Sequence, residues 1–221
     1  MKRCTAYVSA LLATTMVASI ALAADAAAIG KWQAGTNYTL LEKPQPPQVA
    51  RGKVQVNEVF WYGCGHCYAL DPALEEWNAG NPGYIEFVRT PVMWGPMHRQ
   101  HARIFYTLQA LNRTDLHAEV FRAIHQKNNI LAAQNQEQAR ALHLAFFKEH
   151  GVTEQAFNEA YDSAAVAGGL EQAQKVTVGF SVGSVPLVIV QGKYTTGVSQ
   201  AGSEKELLKL IDDLAKSEKR R

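Results

Sequence analysis

Three cysteines in 221 residues are too few for a disulfide-stapled scaffold, and no second Cys or His cluster with metal-ligand spacing accompanies them. A charge of one sign is missing too. Two of the 22 basic residues and none of the 20 acidic ones fall within the first 23 positions, so the remainder is balanced at 20 of each. No net positive field is left to attract nucleic acid or an anionic membrane surface. Internal repeats are absent. What is present is 47% hydrophobic residues, enough for one globular domain or a domain with an insertion.

The N-terminus stands apart. Lys2 and Arg3 precede an apolar run from Ala6 to Ala23 that ends in Ala21-Leu22-Ala23. A positive start, a short apolar core and a small-residue exit predict a secretory signal peptide over residues 1–23, cut within Ala23–Ala28. A membrane anchor is the competing reading, but the run is short and rich in Ala, Ser and Thr. Cleavage would remove Cys4 and leave Cys64 and Cys67 as the cysteines of an exported chain.

Element signals follow in order. Tyr38 to Leu41 reads as a short edge strand, and Pro44, Pro46 and Pro47 then exclude regular structure. Val54 to Tyr62 is β-branched and aromatic, a buried strand. A helix opens at Gly65 with Tyr68, Leu70, Leu74 and Trp77, contains Pro72, which should kink it, and stops at Gly80-Asn81-Pro82-Gly83. Tyr84 to Val92 reads as a second core strand. Residues 97 to 180 carry helical periodicity, including Leu108 with Leu111, Val120 with Phe121 and Ile124, and Ala141, Leu142, Ala145 and Phe146. "VPLVIVQGKYTTG" reads as strand, tight turn at Gly192, strand. Ser203 to Glu206 is a capping box for a last helix. The expected architecture is α/β, with the first strand–helix–strand passage forming a βαβ unit and an all-helical segment interrupting the sheet.

"FWYGCGHCYAL" at residues 60–70 holds the chemistry. A disulfide across Cys-x-x-Cys closes a very small loop and stabilises little. A zinc site needs about four ligands. His98 and His101 share a helical spacing, but surface histidines so placed are ordinarily solvated. Redox exchange remains, because Cys64 lies where a buried strand meets a helix start. Free N–H groups and the positive helix end there stabilise a thiolate, and His66 adds a donor or a charge. Cys67, deeper in the first turn, is the resolving thiol. A stabilised thiolate favours the dithiol form, so the disulfide should oxidise other thiols.

These residues resemble the DsbA-like thiol–disulfide oxidoreductases of the bacterial periplasm over about residues 36–217. "EVFWYGCGHCYAL" is similar to the family's strand leading into its Cys-x-His-Cys helix start, and "SVGSVPLVIVQGKY" to its Val–cis-Pro loop and hairpin. The helical block between them matches the family's inserted domain. The resemblance implies a thioredoxin fold with an inserted all-helical domain, divided as residues 36–96, 97–170 and 171–217.

For the site, it implies a cis Val185–Pro186 bond facing the cysteines, with Val185 pairing to substrate backbone, and a buried acid at Glu58. Read alone, Pro186 equally suits a strand start, and Glu58 is open between burial and solvent. Gly65 departs from the Pro that many members carry, and Gly-His is also the dipeptide of eukaryotic disulfide isomerases. The implied partners are reduced, unfolded exported proteins and a DsbB-like membrane protein that re-oxidises the site. The implied state is monomeric, with no cofactor and no metal. An isomerase or reductase, and a chaperone with incidental thiol chemistry, are the alternatives.

Overall fold

The computed structural model describes residues 28–219, so the expected signal peptide and Cys4 lie outside the described residues. Strand β1 is Thr39–Leu40. The β-branched run becomes β2, Val54–Phe60, followed by α1, Gly65–Gly80, and β3, Ile85–Pro91. Five helices come next: α2 (Pro96–Ala110), α3 (His117–His125), α4 (Gln136–Glu149), α5 (Glu154–Tyr161) and α6 (Ala164–Gly179), with a 3-10 turn at Thr114–Leu116 before α3. The chain returns through β4 (Leu187–Val190) and β5 (Tyr194–Thr196) and ends in α7 (Val198–Ala201) and α8 (Glu204–Lys219).

The sheet order is β1-β5-β4-β2-β3. β2 pairs in parallel with β3 and antiparallel with β4, so both its edges are hydrogen-bonded and its side chains are almost all buried. Side chains alternate along a strand. Val54 and Val56 therefore face Leu70 and Leu74 of α1 and Leu210, Ile211 and Leu214 of α8. Val59 lies on the opposite face with Ile189 of β4 and Val176 of α6. Burying each such side chain contributes roughly 1.5–3 kcal/mol. α6 runs unbroken across residues 170–171: Ala173 packs with Met93 and Ala102, while Val176 lies against the sheet. α1 likewise continues through Pro72.

The helical segment has its own core, built from Ile104, Leu108, Phe121, Phe147 and Phe157, and this core includes Phe60, Tyr62 and Cys67. The insertion thus covers the end of β2 and the buried Cys67 of the first turn of α1. In α4 the apolar periodicity has a different phase from the one expected. Ala141, Leu142 and Ala145 are exposed, and the buried face is Ala139, His143, Phe146 and Phe147. His143 holds a core position because both ring nitrogens are bonded, to the Tyr161 hydroxyl at 3.1 Å and the Leu131 carbonyl at 2.9 Å.

The β4–β5 turn explains one glycine. Gln191 and Gly192 have φ of 51° and 64°, and the Lys193 N–H bonds to the Val190 carbonyl at 3.0 Å, a primed turn; the pairing of Val190 with Tyr194 leaves Lys193 as a third loop residue. A Cβ on Gly192 would lie 1.9 Å from the Gln45 carbonyl oxygen. Gly192→Ala should therefore cost at least about 2 kcal/mol of folding stability, read from the midpoint of urea unfolding.

Candidate active site

β2 ends at Phe60, and a turn closed by the Cys64 N–H donating to the Trp61 carbonyl delivers the chain to α1. Cys64 is the N-cap of that helix, with extended backbone (φ −88°, ψ 116°), and its sulfur accepts the Cys67 N–H at 3.4 Å. A capping side chain normally offers oxygen to these free donors; here the acceptor is sulfur. Gly65 takes the first helical position, and a Cβ there would meet nothing within 4 Å. Cys67 is fully buried, and both cysteines are free thiols in this structure.

The geometry separates the two thiols electrostatically. Cys64 is lowered to about 5, first because the Cys67 thiol donates to it, then because the N–H groups of Cys67 and His66 and the charge of His66 favour the anion; partial burial opposes them. His66 itself is exposed. Cys67 is pushed far above the ordinary thiol range by the same hydrogen bond, by burial and by the negative charges of Cys64 and Glu58. One group ionises and the other stays a thiol.

Val185–Pro186 is cis, and the Val185 carbonyl lies 3.5 Å from the Cys64 sulfur. These two residues, with His66, Ser184, Leu187 and Gln200, line a cleft of about 600 Å³ beside Cys64. Glu58 is 1% exposed on the α1 face of β2. Its cross-strand neighbour Arg89 donates Nε to Glu58 Oε2 at 2.9 Å and reaches Asp71 at 3.0 Å and Glu75 at 2.6 Å. Glu58 Oε1 has no hydrogen-bond partner among the described residues. Burial raises Glu58 to about 7; the Arg89 charge works against that rise, while Asp71 and Glu75 add to it.

Arg89, Asp71, His117 and Tyr62 extend this network and were not foreseen. His117 Nε2 is 3.2 Å from Asp71 Oδ1, and Nδ1 is 2.7 Å from the Tyr62 hydroxyl. A signal for Asp71 existed: Cys67, Asp71 and Glu75 recur every four residues on one helix face. His101 corrects the solvated expectation. It is 1% exposed, with Nε2 2.8 Å from the Ile130 carbonyl, and the His98 ring lies against Trp61 with centroids 4.4 Å apart and planes tilted by 35°. Among the described residues no group of three His, Cys, Asp or Glu is placed to hold a metal, and no helix is long and apolar enough to cross a membrane.

No family model matches the chain. Curated relatives do. The chain is 36% identical over 210 residues to the thiol:disulfide interchange protein DsbA of Pseudomonas aeruginosa, covering 95% of this chain and 96% of that protein. It is 35% identical over 208 residues to DsbA of Burkholderia cepacia, covering 93% of each. This chain belongs to the DsbA family. The crystal structure of Pseudomonas aeruginosa DsbA superposes with a TM-score of 0.78 at 35% identity, over 86% of this chain and 95% of that one. NmDsbA1 of Neisseria meningitidis gives 0.71 at 26%, over 83% and 92%. The fold is accordingly a thioredoxin fold with a helical insertion, and the activity of this DsbA-family chain is thiol:disulfide oxidoreduction.

The depressed Cys64 value has a consequence for stability. In the unfolded chain a thiol ionises near 8.5. A group whose folded value is depressed stabilises the fold above the unfolded value and loses that contribution as pH falls through the folded one. The disulfide form has no such group. The difference in melting temperature between dithiol and disulfide forms should therefore move in favour of the dithiol between pH 5 and 8, and His66→Ala should reduce the movement. A difference independent of pH over that window would contradict the assignment.

Proposed function

We propose that this DsbA-family protein is a periplasmic dithiol oxidase, exported by its N-terminal signal peptide and acting as a monomer on reduced, unfolded exported proteins. The observation that carries this reading is the Cys64 sulfur at the N-cap of α1, where it is held as an anion. Stabilising the thiolate stabilises the dithiol, and so raises the oxidising power of the disulfide by roughly 30 mV for each pKa unit below ambient pH.

The exchange balances in two steps. A substrate thiolate attacks Cys64 in the Cys64–Cys67 disulfide. The Cys64–substrate bond forms, the Cys64–Cys67 bond breaks, and Cys67 leaves with the electron pair. Cys67 cannot remain an anion where it is buried, and Glu58, with a value near neutrality, supplies its proton. A second substrate thiolate then attacks the substrate sulfur of the mixed disulfide, and Cys64 departs as the stabilised thiolate. The substrate loses two electrons, and the protein holds them as the dithiol. A DsbB-like membrane partner takes them back, Glu58 now receiving the Cys67 proton.

Val185 supports the substrate role by position, since its backbone lies against Cys64 and opens onto the cleft. An extended peptide aligned there brings its cysteine to the sulfur. Gly65 leaves the first turn open on its solvent side.

Cys67→Ala should accumulate mixed disulfides with unfolded substrates through Cys64, visible on non-reducing gels, and Cys64→Ser should abolish both trapping and oxidation. Alkylation at mildly acidic pH that labels Cys67 before Cys64 would reverse the assignment. Retained function in Cys64→Ser would identify a binding module instead. Glu58→Gln should slow oxidation of a model peptide by about tenfold or more and remove the rate dependence near pH 7. An unchanged profile would exclude Glu58 from proton transfer.

A further inference from the structure

Trp61, Tyr62, Gly63 and Cys64 form the turn that presents the nucleophile, closed by a 2.9 Å bond from the Cys64 N–H to the Trp61 carbonyl. In a four-residue turn the central peptide, here Tyr62–Gly63, is the part able to reverse. The type I and type II forms differ by its orientation, and glycine in the third position accepts both. Gly63 is needed for a different reason: a Cβ there would lie 2.4 Å from the Trp61 ring. The glycine that makes room for Trp61 thus leaves the turn before Cys64 able to flip. It does not have positive φ, so the turn occupies one of the two forms.

The inserted domain supplies the missing constraint. His117, Phe121 and His125 recur every four residues along α3 and share one face. The His125 Nε2 lies 2.8 Å from the Tyr62 carbonyl oxygen, the oxygen that would swing if the peptide reversed. His117 holds the Tyr62 hydroxyl at 2.7 Å, and the Phe121 ring meets the Tyr62 ring edge-on at 4.9 Å. On the far side of the cysteines, Tyr68 stacks on His125 with ring centroids 4.8 Å apart and planes 2° from parallel, and its hydroxyl receives the Gln126 amide. One imidazole therefore grips the chain both before and after the Cys-Gly-His-Cys segment.

We propose that His125 is a positioning residue for thiol exchange: by donating to the Tyr62 carbonyl it locks the Tyr62–Gly63 peptide and fixes the direction in which Cys64 presents its sulfur. A carbonyl only accepts, so His125 carries its proton on Nε2 and acts as a donor, not as a base. His117 is the second anchor, through the Tyr62 side chain. The role rests on the reading of Cys64 as the attacking sulfur. It gives the insertion a task within the chemistry, because the donor that orients the turn comes from α3 and not from the thioredoxin part of the chain.

Three full-length variants test this. His125→Phe keeps a ring stacked on Tyr68 and removes the donor. His125→Gln restores a donor on a flexible side chain. Phe157→Leu loosens the inserted core through a buried ring that packs on Phe147 and Tyr161. Thiolate absorbance against pH gives the Cys64 midpoint, and equilibration with glutathione gives the disulfide fraction. His125→Phe should raise the midpoint and shift the glutathione equilibrium about tenfold toward the disulfide form. His125→Gln should recover most of the wild-type behaviour. Phe157→Leu should lower the melting temperature with Cys64 unmoved. The proposal is overturned if His125→Phe titrates as wild type, or if Phe157→Leu moves Cys64 as far as His125→Phe does. A wild-type Cys64 that ionises as an ordinary thiol would overturn both this role and the assignment of the nucleophile.

Discussion

A sulfur anion held by the donors of a helix start is the interaction around which the molecule is arranged. Its strength comes from three groups within one turn: the Cys67 thiol, the Cys67 N–H and the His66 N–H. Each requires the chain to be helical from Gly65 onward and extended at Cys64. The extended side is enforced by β2, which the sheet holds on both edges. The helical side is enforced by Leu70 and Leu74, which pack α1 onto the sheet. The same arrangement keeps Cys67 out of water, and so keeps its proton available for the hydrogen bond to Cys64. Burial of one sulfur and stabilisation of the other are two results of one geometry.

The polar groups beneath the site follow a second constraint. A carboxylate and a guanidinium placed opposite one another on adjacent strands have to be matched, since a buried charge without a partner is costly. Arg89 is matched more than once, by Glu58, Asp71 and Glu75. Glu58, the most buried of them, is pushed up to about 7, first by burial; the Arg89 charge opposes that rise, and the negative charges of Asp71 and Glu75 add to it.

Legibility in the sequence followed the range of the interactions. The strand, the Cys-Gly-His-Cys turn and the helix start are specified within fourteen contiguous residues, 54–67, so pattern and capping physics located them. The β4–β5 hairpin and its turn at Gly192 were legible for the same reason. Arg89 lies 31 residues from Glu58 and 18 from Asp71, and His117 lies 55 from Tyr62, so no local pattern announces those pairings. Histidine misled the periodicity reading. His143 and His101 count as polar in a hydropathy pattern, yet each sits in the core because a backbone carbonyl accepts its ring N–H. The cis bond at Val185–Pro186 came from resemblance, since Pro before a strand reads equally well without it.

The sheet also has to live among sticky neighbours. A protein whose proposed clients are unfolded chains meets exposed strands continually, and an open sheet edge would recruit them in the wrong place. One edge of this sheet is β1, which is two residues long and is followed by Pro44, Pro46 and Pro47, residues that offer no N–H to a visiting strand. The other edge is β3, which carries Glu86 and Arg89, ends in Pro91 and has α2 and α6 packed against it. Both rims are therefore poor templates for strand addition. The opening proposed for a client's backbone is instead the Val185 cleft beside the Cys64 sulfur, away from both rims of the sheet.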